Sequence, residues 1–394
     1  MSDFKLHETQ LEAIEHAASS KFAIITGGAG TGKTTIIKEI AERVHNSILC
    51  AFAGKAAARL KEATKMDTST IHRALMFNGD TFARKSLSGY SVIVDEASMV
   101  SSDLMAEIMS RNPDRLILVG DQAQLPPVGK GQPFHDLISL KPDAVYHLTK
   151  CFRNTEAVFK AATAIRNGEM PETFDESESE KWEIVKTGSP EATQDQLLKY
   201  IQAGEIDFEQ DIILCPRNGD NDEQACTVKG LNRAIVDIVN PRENELDKFL
   251  PGDRVINTKN YADIDIWNGT TGTIHAINDD TIFLRLDVHI VDEEKTDDPR
   301  NPIYKDIVQL NKERRKSLQL AYALTVHKSQ GSQFRKVIFC AMERDSFRLL
   351  DRSLIYTAVT RTKEHCIVAG QVRAFRNGIS KVIEKRTVLQ EVAK

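Results

Sequence analysis

The sequence predicts an α/β chain with two parallel sheets flanked by helices and a small β-barrel inserted into the second. Three observations carry this. Apolar runs that read as buried strands alternate with stretches of helical spacing along most of the chain. One glycine-rich stretch, "TGGAGTGKTT" at 26–35, lies between such a strand and such a helix. Residues 252 to about 310 then change character, becoming short, alternating and β-branched with "NG" and "DD" turns.

Taken in order, "FAIIT", "SILCAF", "SVIVDE", "RLILVG" and "VYHL" read as buried strands, with "GKAAARLKEAT" and "SDLMAEIMSR" among the helices between them. These form a first domain over 1–150. A second series follows: helices "EAVFKAATAIRNG" and "QDQLLKYIQAG", strand "DIILCPRN", helix "CTVKGLNRAIVDIVN", strands "QLAYALTV", "KVIFCA" and "HCIVAG", and a last helix from Arg373 to about Lys385. The second domain spans 151–251 and 316–394, interrupted by a barrel over 252–315 built from "DRVINT", "TTGTIHAI", "DTIFLRLDVHI" and "KDIVQL". The acidic run "DESESEK" at 175–181 reads as a solvated loop.

Composition sets wide limits. A chain of 394 residues suits two domains, each able to bury a core. No apolar stretch is long enough to span a bilayer, and "MSDFKLHETQ" has no signal core, so an intracellular, cytoplasmic protein is expected, with viral or bacterial origin both open. The six cysteines show no CxxC pair and read as free thiols, not zinc ligands. A net charge of −5 does not point to nucleic acid, but a local basic groove is enough for phosphate contacts.

The glycine stretch carries the first chemistry. Gly27, four residues, then Gly32-Lys33-Thr34 is the spacing of a phosphate-binding loop, and the strand–loop–helix context fits. Backbone N–H groups of Gly27, Gly28, Ala29, Gly30, Thr31, Gly32, Lys33, Thr34 and Thr35 can face an anion, with the helix dipole behind them. Lys33 can reach the β- and γ-phosphates, and Thr34 can ligate Mg²⁺. ATP with Mg²⁺ is therefore the expected cofactor pair. In "SVIVDEAS", the strand delivers Asp95 and Glu96 to its carboxyl end. Asp95 suits a Mg²⁺ partner and Glu96 a base that orients water. In "LVGDQAQLPPVGKG", Gln124 is placed to sense a γ-phosphate. Gln10 in "HETQLEAIE" offers an amide that can pair with both edge groups of adenine.

Together, "TQLEAI", "GGAGTGKTT", "AFAGKAAARL", "TIHRAL", "IVDEASM", "VGDQAQLPPVG", "LTKCFRN", "ALTVHKSQGSQF" and "YTAVTRTK" resemble the superfamily-one helicases in order and spacing, from Gln10 to Lys363. "LPPVG" and "TVHKSQGSQF" are similar to the RecD/Dda branch, which moves 5′ to 3′ on single-stranded DNA, and unlike the UvrD/Rep and Upf-type branches. The resemblance implies two RecA-like domains with an SH3-like inserted barrel and ATP between the two. It also implies Arg153 and Arg361 as guanidiniums that reach the γ-phosphate from the second domain. For DNA it implies Gly54, Lys55, Thr70, His72 and Pro126 on the first domain and Thr325, His327 and Lys328 on the second. The partners implied are single-stranded DNA and single/double-strand junctions, with a single-strand-binding protein or replication proteins beyond them.

For base stacking, Phe52 and Tyr322 lie in apolar strands and read as core, whereas Trp267 lies at a barrel loop. The family carries an insertion after "TIHRAL", often a β-hairpin pin; here it is short, over 77–90, with "NGD" as its turn. Phe77 and Phe82 are the aromatics beside that turn, and Phe82 is the candidate wedge. Two other functions fit the residues: a DNA-dependent ATPase that displaces proteins without efficient unwinding, and an ATP-gated DNA-binding or loading module.

Overall fold

The computed structural model describes residues 6–150, 152, 156–172, 174–175, 181–221, 223–244, 248–291, 304–346 and 348–383. Two compact units divide at Asn154 and Thr155, the second ending at Val382.

In the first unit, strands β1 (Phe22–Gly27), β2 (Ser47–Ala51), β3 (Thr68–Thr70), β4 (Ser91–Asp95), β5 (Arg115–Gly120) and β6 (Val145–Leu148) form one sheet in the order β3-β2-β4-β5-β1-β6. Every pairing is parallel, as in Ile24↔Leu118 and Ile24↔Val145. Parallel strands need crossovers, supplied by helices α2 (Lys33–Arg43), α3 (Gly54–Thr64), α4 (Ile71–Ala74), α5 (Ser102–Met109) and α6 (Pro133–Leu140), with α1 (Glu8–Ser19) leading in. Alternate residues of each strand serve opposite faces. Ile25, Ile93, Ile117 and Val119 pack under α1 and α2 with Ile14, Ile36 and Ile40. Their neighbours Ile24, Val92, Val94 and Leu118 pack on the other face with Leu104, Ile108 and Phe134. Burial on both faces is why these strands read as unbroken apolar runs.

The second unit holds two sheets. The first takes β7 (Phe174–Asp175), β8 (Lys181–Lys186), β9 (Ile212–Cys215), β15 (Ala323–Thr325), β16 (Phe334–Ala341) and β17 (Thr362–Gly370) in the order β15-β9-β16-β17-β8-β7, parallel except for β7 on β8. Helices α7 (Glu156–Asn167), α8 (Pro190–Gln202), α9 (Val228–Val239), α10 (Glu343–Ser346), α11 (Arg352–Val359) and α12 (Val372–Ser380) accompany it. The second sheet takes β10 (Arg254–Asn257), β11 (Thr271–Asn278), β12 (Thr281–Val291), β13 (Tyr304–Leu310) and β14 (Leu318–Leu320) as an antiparallel meander, β13-β12-β11-β10-β14. It has its own core of Val255, Ile274, Ile282, Leu284, Val308, Leu310 and Leu318.

Three local expectations differ from the structure. "QLAYALTV" is not one strand: β14 joins the antiparallel sheet and β15 the parallel one. The chain changes sheets at Tyr322, where the buried Asn232 of α9 intervenes. Its Oδ1 accepts from the N–H groups of Tyr322 and Ala323, at 2.9 and 3.0 Å, and its Nδ2 donates to the Ala323 carbonyl at 3.0 Å. Those backbone groups are satisfied by a side chain, so the ladder need not continue. A strand that the sequence reading did not mark, "KWEIVK", follows the acidic run as β8, with Trp182 fully buried. Of "DESESEK", Asp175 lies in β7, 176–180 fall outside the described residues, and Lys181 opens β8. The last helix stops at Ser380, where Lys381 turns extended and its N–H bonds the Gly378 carbonyl; 384–394 fall outside the described residues.

Among the described residues no helix is long and apolar enough to cross a membrane. Cys50, Cys215, Cys226, Cys340 and Cys366 are free and buried, and Cys151 lies outside the described residues.

Candidate functional site

Each strand of the first sheet ends at the same edge, so the residues that follow them collect there. The loop after β1 holds Gly27 to Gly32. After β2 come Gly54 and Lys55, and after β3 come Thr70 and His72. Asp95 and Glu96 close β4, Gln124 and Pro126 follow β5, and Phe152 follows β6. The strand order separates these groups in space. Those after β3 and β2 lie toward one side, and those after β4, β5, β1 and β6 toward the other.

The glycine loop is folded as an anion cradle. Gly30 and Gly32 have φ of 78° and 79°, a region that favours glycine. A Cβ on Gly27 would meet Thr31 Oγ1 at 2.7 Å and Leu148 Cβ at 2.8 Å, and one on Gly32 would collide with the Gln10 amide nitrogen. Thr31 is buried and its hydroxyl donates to the Gly28 carbonyl at 3.0 Å. Lys33 Nζ donates to the carbonyls of Gly27 and Gly28, both at 2.9 Å, which pins the ammonium at the loop. Gly32 caps α2 without a side-chain hydrogen bond, leaving the first N–H groups of the helix to an external acceptor. Thr34 is half-buried, Ala29 likewise, and Thr35 exposed.

Asp95 and Glu96 meet this loop at the end of β4. Burial and the Glu96 charge push Asp95 up to about 6, although the Glu96 N–H, Lys33 and Arg59 oppose them. The Glu96 N–H donates to Asp95 Oδ1 at 2.9 Å. Glu96 itself is left-handed, with φ 51° and ψ 39°. Its Oε2 is buried without a hydrogen-bond partner, as are Thr26 Oγ1 and Ser98 Oγ. Gly120, ending β5, lets the turn Ala97–Met99 come close: a Cβ there would stand 3.1 Å from Ser98 N and 2.9 Å from Phe134. Gln124 is buried in the turn begun by Asp121, whose carbonyl accepts from Gln124 N at 3.2 Å and whose Oδ1 accepts from Ala123 N at 3.0 Å.

Gln10 is buried against the loop. Its Oε1 accepts from His7 N at 3.0 Å, closing a capping box on α1, and its Nε2 faces the Thr31 carbonyl at 3.5 Å. Beside it stands a residue that the sequence did not single out. Phe152 N donates to the Gly30 carbonyl at 2.8 Å, while its ring lies 5.9 Å from the His7 ring and remains 38% exposed. Arg59 was also missed, although it lies one helical turn after Lys55 in α3. Arg153 lies outside the described residues.

The remaining first-unit candidates flank helix starts. Lys55 is buried in the first turn of α3, whose N-cap Ala53 offers no side-chain bond. Thr70 caps α4 through Arg73 N at 3.2 Å. Burial holds His72 below its ordinary value. Its ring is 5.5 Å from Phe77 and 5.9 Å from Phe82. Those two phenylalanines bridge an antiparallel turn in which Asn78 Oδ1 accepts from Thr81 N at 2.9 Å, and their rings are 4.9 Å apart. They differ in burial. Phe82 packs against the core beneath, with the Arg111 guanidinium 5.5 Å over its ring, whereas Phe77 is 42% exposed. Phe52 is likewise packed on that core.

In the second unit, Thr325, His327 and Lys328 gather at the end of β15. Thr325 Oγ1 accepts from Lys328 N at 3.3 Å, and Lys328 Nζ donates to Gln319 Oε1 at 2.8 Å. Burial lowers the pKa of Lys328, and His327 is exposed. Arg361, 4% exposed, follows α11; its Nε donates to the Thr357 carbonyl at 3.1 Å and its guanidinium faces the Ser332 carbonyl at 3.5 Å. Tyr322 is core, its hydroxyl bonding Asp253 Oδ1 at 3.2 Å. Trp267 is half-buried, its backbone tied to Thr270 and Asn257.

A glycine cradle after β1, an acidic pair at the end of β4 two strands away in the same sheet, and a helical α/β framework define a phosphate-loop nucleotide-binding class of chain. A family model described as an AAA domain matches residues 5–187, and one described as a UvrD-like helicase C-terminal domain matches 320–369. The ATP-dependent RecD2 DNA helicase of Deinococcus radiodurans is 30% identical over 97% of this chain and 51% of its own length. The RecBCD enzyme subunit RecD of Mycolicibacterium smegmatis is 28% identical over 98% of this chain and 74% of its own. The chain thus spans about half the length of the first of these relatives. A solved structure of two coordinating Pif1 helicases at forked DNA shares the fold with a TM-score of 0.57 at 21% identity, covering 97% of this chain and 94% of that one. The chain is similar to the RecD2 and RecD helicases over nearly its whole length, and it shares the Pif1 fold.

Proposed function

We propose that this chain is an ATP-driven motor that moves 5′ to 3′ along single-stranded DNA and opens duplex ahead of it, in replication, recombination or repair. The carrying observation is the shared sheet edge, which sets the phosphate loop and the half-buried Asp95–Glu96 pair on one side and aligns helix starts bearing Lys55, Thr70 and His72 along it. The name of the RecD2 DNA helicase relative supports DNA as the substrate.

In this reading the loop N–H groups and Lys33 hold the phosphates. Thr34 and Asp95 hold Mg²⁺, which neutralises phosphate charge when bound. The donor set fits such a cation: Asp95 is a half-buried acid whose carboxyl is pushed up by burial and the Glu96 charge, with Lys33 and Arg59 opposing. Glu96 orients the attacking water, Gln124 senses the γ-phosphate, and Arg153 and Arg361 stabilise the charge that develops in transfer. Gln10 takes the adenine edge and Phe152 its face. Phe152→Ala should then raise the KM for ATP severalfold with little change in kcat, because face stacking holds ground state and transition state alike. A change in kcat alone would remove Phe152 from the base site.

The two hairpin rings take different parts. Phe82, singled out from the sequence, roots the hairpin, and Phe77 presents the apolar tip. An apolar wedge replaces lost base stacking at the junction and does nothing along a single strand. Phe77→Ala should slow unwinding severalfold at near-normal DNA-stimulated ATPase. Phe82→Ala should lower thermal stability and reduce both activities in parallel. Unwinding by Phe77→Ala at the parent rate would reject the wedge.

The deciding experiment compares ATPase with and without single-stranded DNA, then unwinding of duplexes tailed at 5′ or 3′. Stimulation with unwinding of 5′-tailed duplex alone is expected. Stimulation without unwinding would make the chain a protein-displacing ATPase. Tight, nucleotide-switched binding with little turnover would make it a loading module.

A further inference from the structure

A cavity of about 390 Å³ opens on the antiparallel sheet of the second unit, and none of its lining residues is among those assigned above. Its floor is apolar, formed by Phe249, Ile277 and the buried Ile282. Its rim is cationic: Lys248, Lys312, Arg315 and Lys316 line it, with Asp279 as the one acid among the lining residues. Lys248 Nζ lies 5.1 Å over the Phe249 ring. Two further acids pair with the rim from outside the lining. Asp280 accepts from Lys312 at 2.9 Å and from Arg315 at 3.1 Å, and Glu313 accepts from Lys316 at 2.9 Å. Lys312 and Lys316 are 68% and 65% exposed, so these are solvated pairs that a stronger anion can displace.

The geometry points to a second nucleic-acid contact on this chain, in which the rim of Lys248, Lys312, Arg315 and Lys316 holds the phosphates of a single strand while a base lies on the Phe249–Ile277 floor. Volume alone does not select a strand; the chemistry of the lining does. A site for a small phosphate metabolite fixes its ligand with a few convergent, buried polar groups. Here the cations are long, mostly exposed side chains that neutralise charge without fixing identity, beside an apolar face open to any base. This inference rests on the proposed action on single-stranded DNA.

Asp280 gives a test of opposite sign. It occupies the two-residue turn between β11 and β12, where Asp279 is left-handed with φ 50° and asparagine is readily accepted. Asp280→Asn frees Lys312 and Arg315 from their shared carboxylate. It should tighten binding of a labelled oligothymidylate severalfold at low salt and steepen the salt dependence. Lys312→Gln combined with Arg315→Gln should weaken binding about tenfold. Each lost phosphate contact removes roughly 0.7 from the log–log salt slope on single strands, so the double variant should flatten it by about 1.4. Basal ATPase should stay at the parent level in both. Equal affinity and equal slope in parent and Asp280→Asn would overturn the proposal, whatever the stability of the double variant. Displacement of the strand by inorganic phosphate at matched ionic strength, from the parent only, would overturn it in favour of a small-anion site. A parent with no DNA-stimulated ATPase would instead overturn the functional reading beneath it.

Discussion

Glu96→Gln is expected to bind ATP like the parent and to lose about 10²–10⁴-fold in hydrolysis, the range for a positioned general base. The change removes the charge and leaves the shape. The backbone makes a second, independent expectation. Glu96 sits at φ 51° with a buried, unpartnered carboxylate oxygen. A non-glycine residue in the left-handed region carries roughly 1–2 kcal/mol of strain, and burying a polar atom without a partner adds to it. Strain retained at an acidic residue beside a phosphate loop is the pattern of a position kept for chemistry. Glu96→Gly should therefore be inactive yet more stable than Glu96→Ala by about 1 kcal/mol, the reverse of the order found within helices. Thermal unfolding of the two variants decides it. A glycine variant no more stable than the alanine one would show that the conformation is not strained, and near-parent turnover by Glu96→Gln would remove the residue from its role.

The central strands β1, β4 and β5 were legible because each is buried on both faces and so reads as an uninterrupted apolar run, whereas the half-buried edge strand β3, "TST", carries no apolar signal. The phosphate loop was legible because its spacing admits few other uses. What stayed hidden belongs to tertiary structure. "QLAYALTV" is one apolar run in sequence and two strands in space, because Asn232, 90 residues earlier, takes the backbone groups at the crossing. "KWEIVK" alternates weakly and follows an acidic run, so nothing local marks it as sheet. Phe152 was quoted only as the neighbour of an arginine, since the bond from its N–H to the Gly30 carbonyl exists only after β6 pairs with β1. Phe77 and Phe82 are equivalent by composition. Only packing separates them, one ring against the core beneath the hairpin and the other 42% exposed. The left-handed turn at Glu96 has no sequence signal, because glutamate is not a residue that such a position selects.

Arg361→Ala is expected to lose about 10³–10⁵-fold in ATP hydrolysis, the range for an arginine that meets a transferring phosphoryl group, while keeping single-stranded DNA binding. The structure supplies a competing account. Arg361 is buried, donates to the Thr357 carbonyl, faces the Ser332 carbonyl, and accepts through its own carbonyl from Phe334 N at 2.9 Å. It thereby joins the end of α11 to the segment that carries Thr325, His327 and Lys328. If that joinery were its whole purpose, removing the side chain would loosen the segment. DNA affinity, thermal stability and ATPase would then fall together. The two accounts separate on Arg361→Lys. A lysine keeps the charge and can donate to one of the two carbonyls, but it lacks the planar fork that matches phosphate oxygens. Stability and DNA affinity near the parent values, with hydrolysis still down by two orders of magnitude or more, is the outcome expected of a group that acts on the phosphate. Recovery of hydrolysis in step with stability would assign Arg361 to the framework and leave Arg153 as the remaining guanidinium for that role.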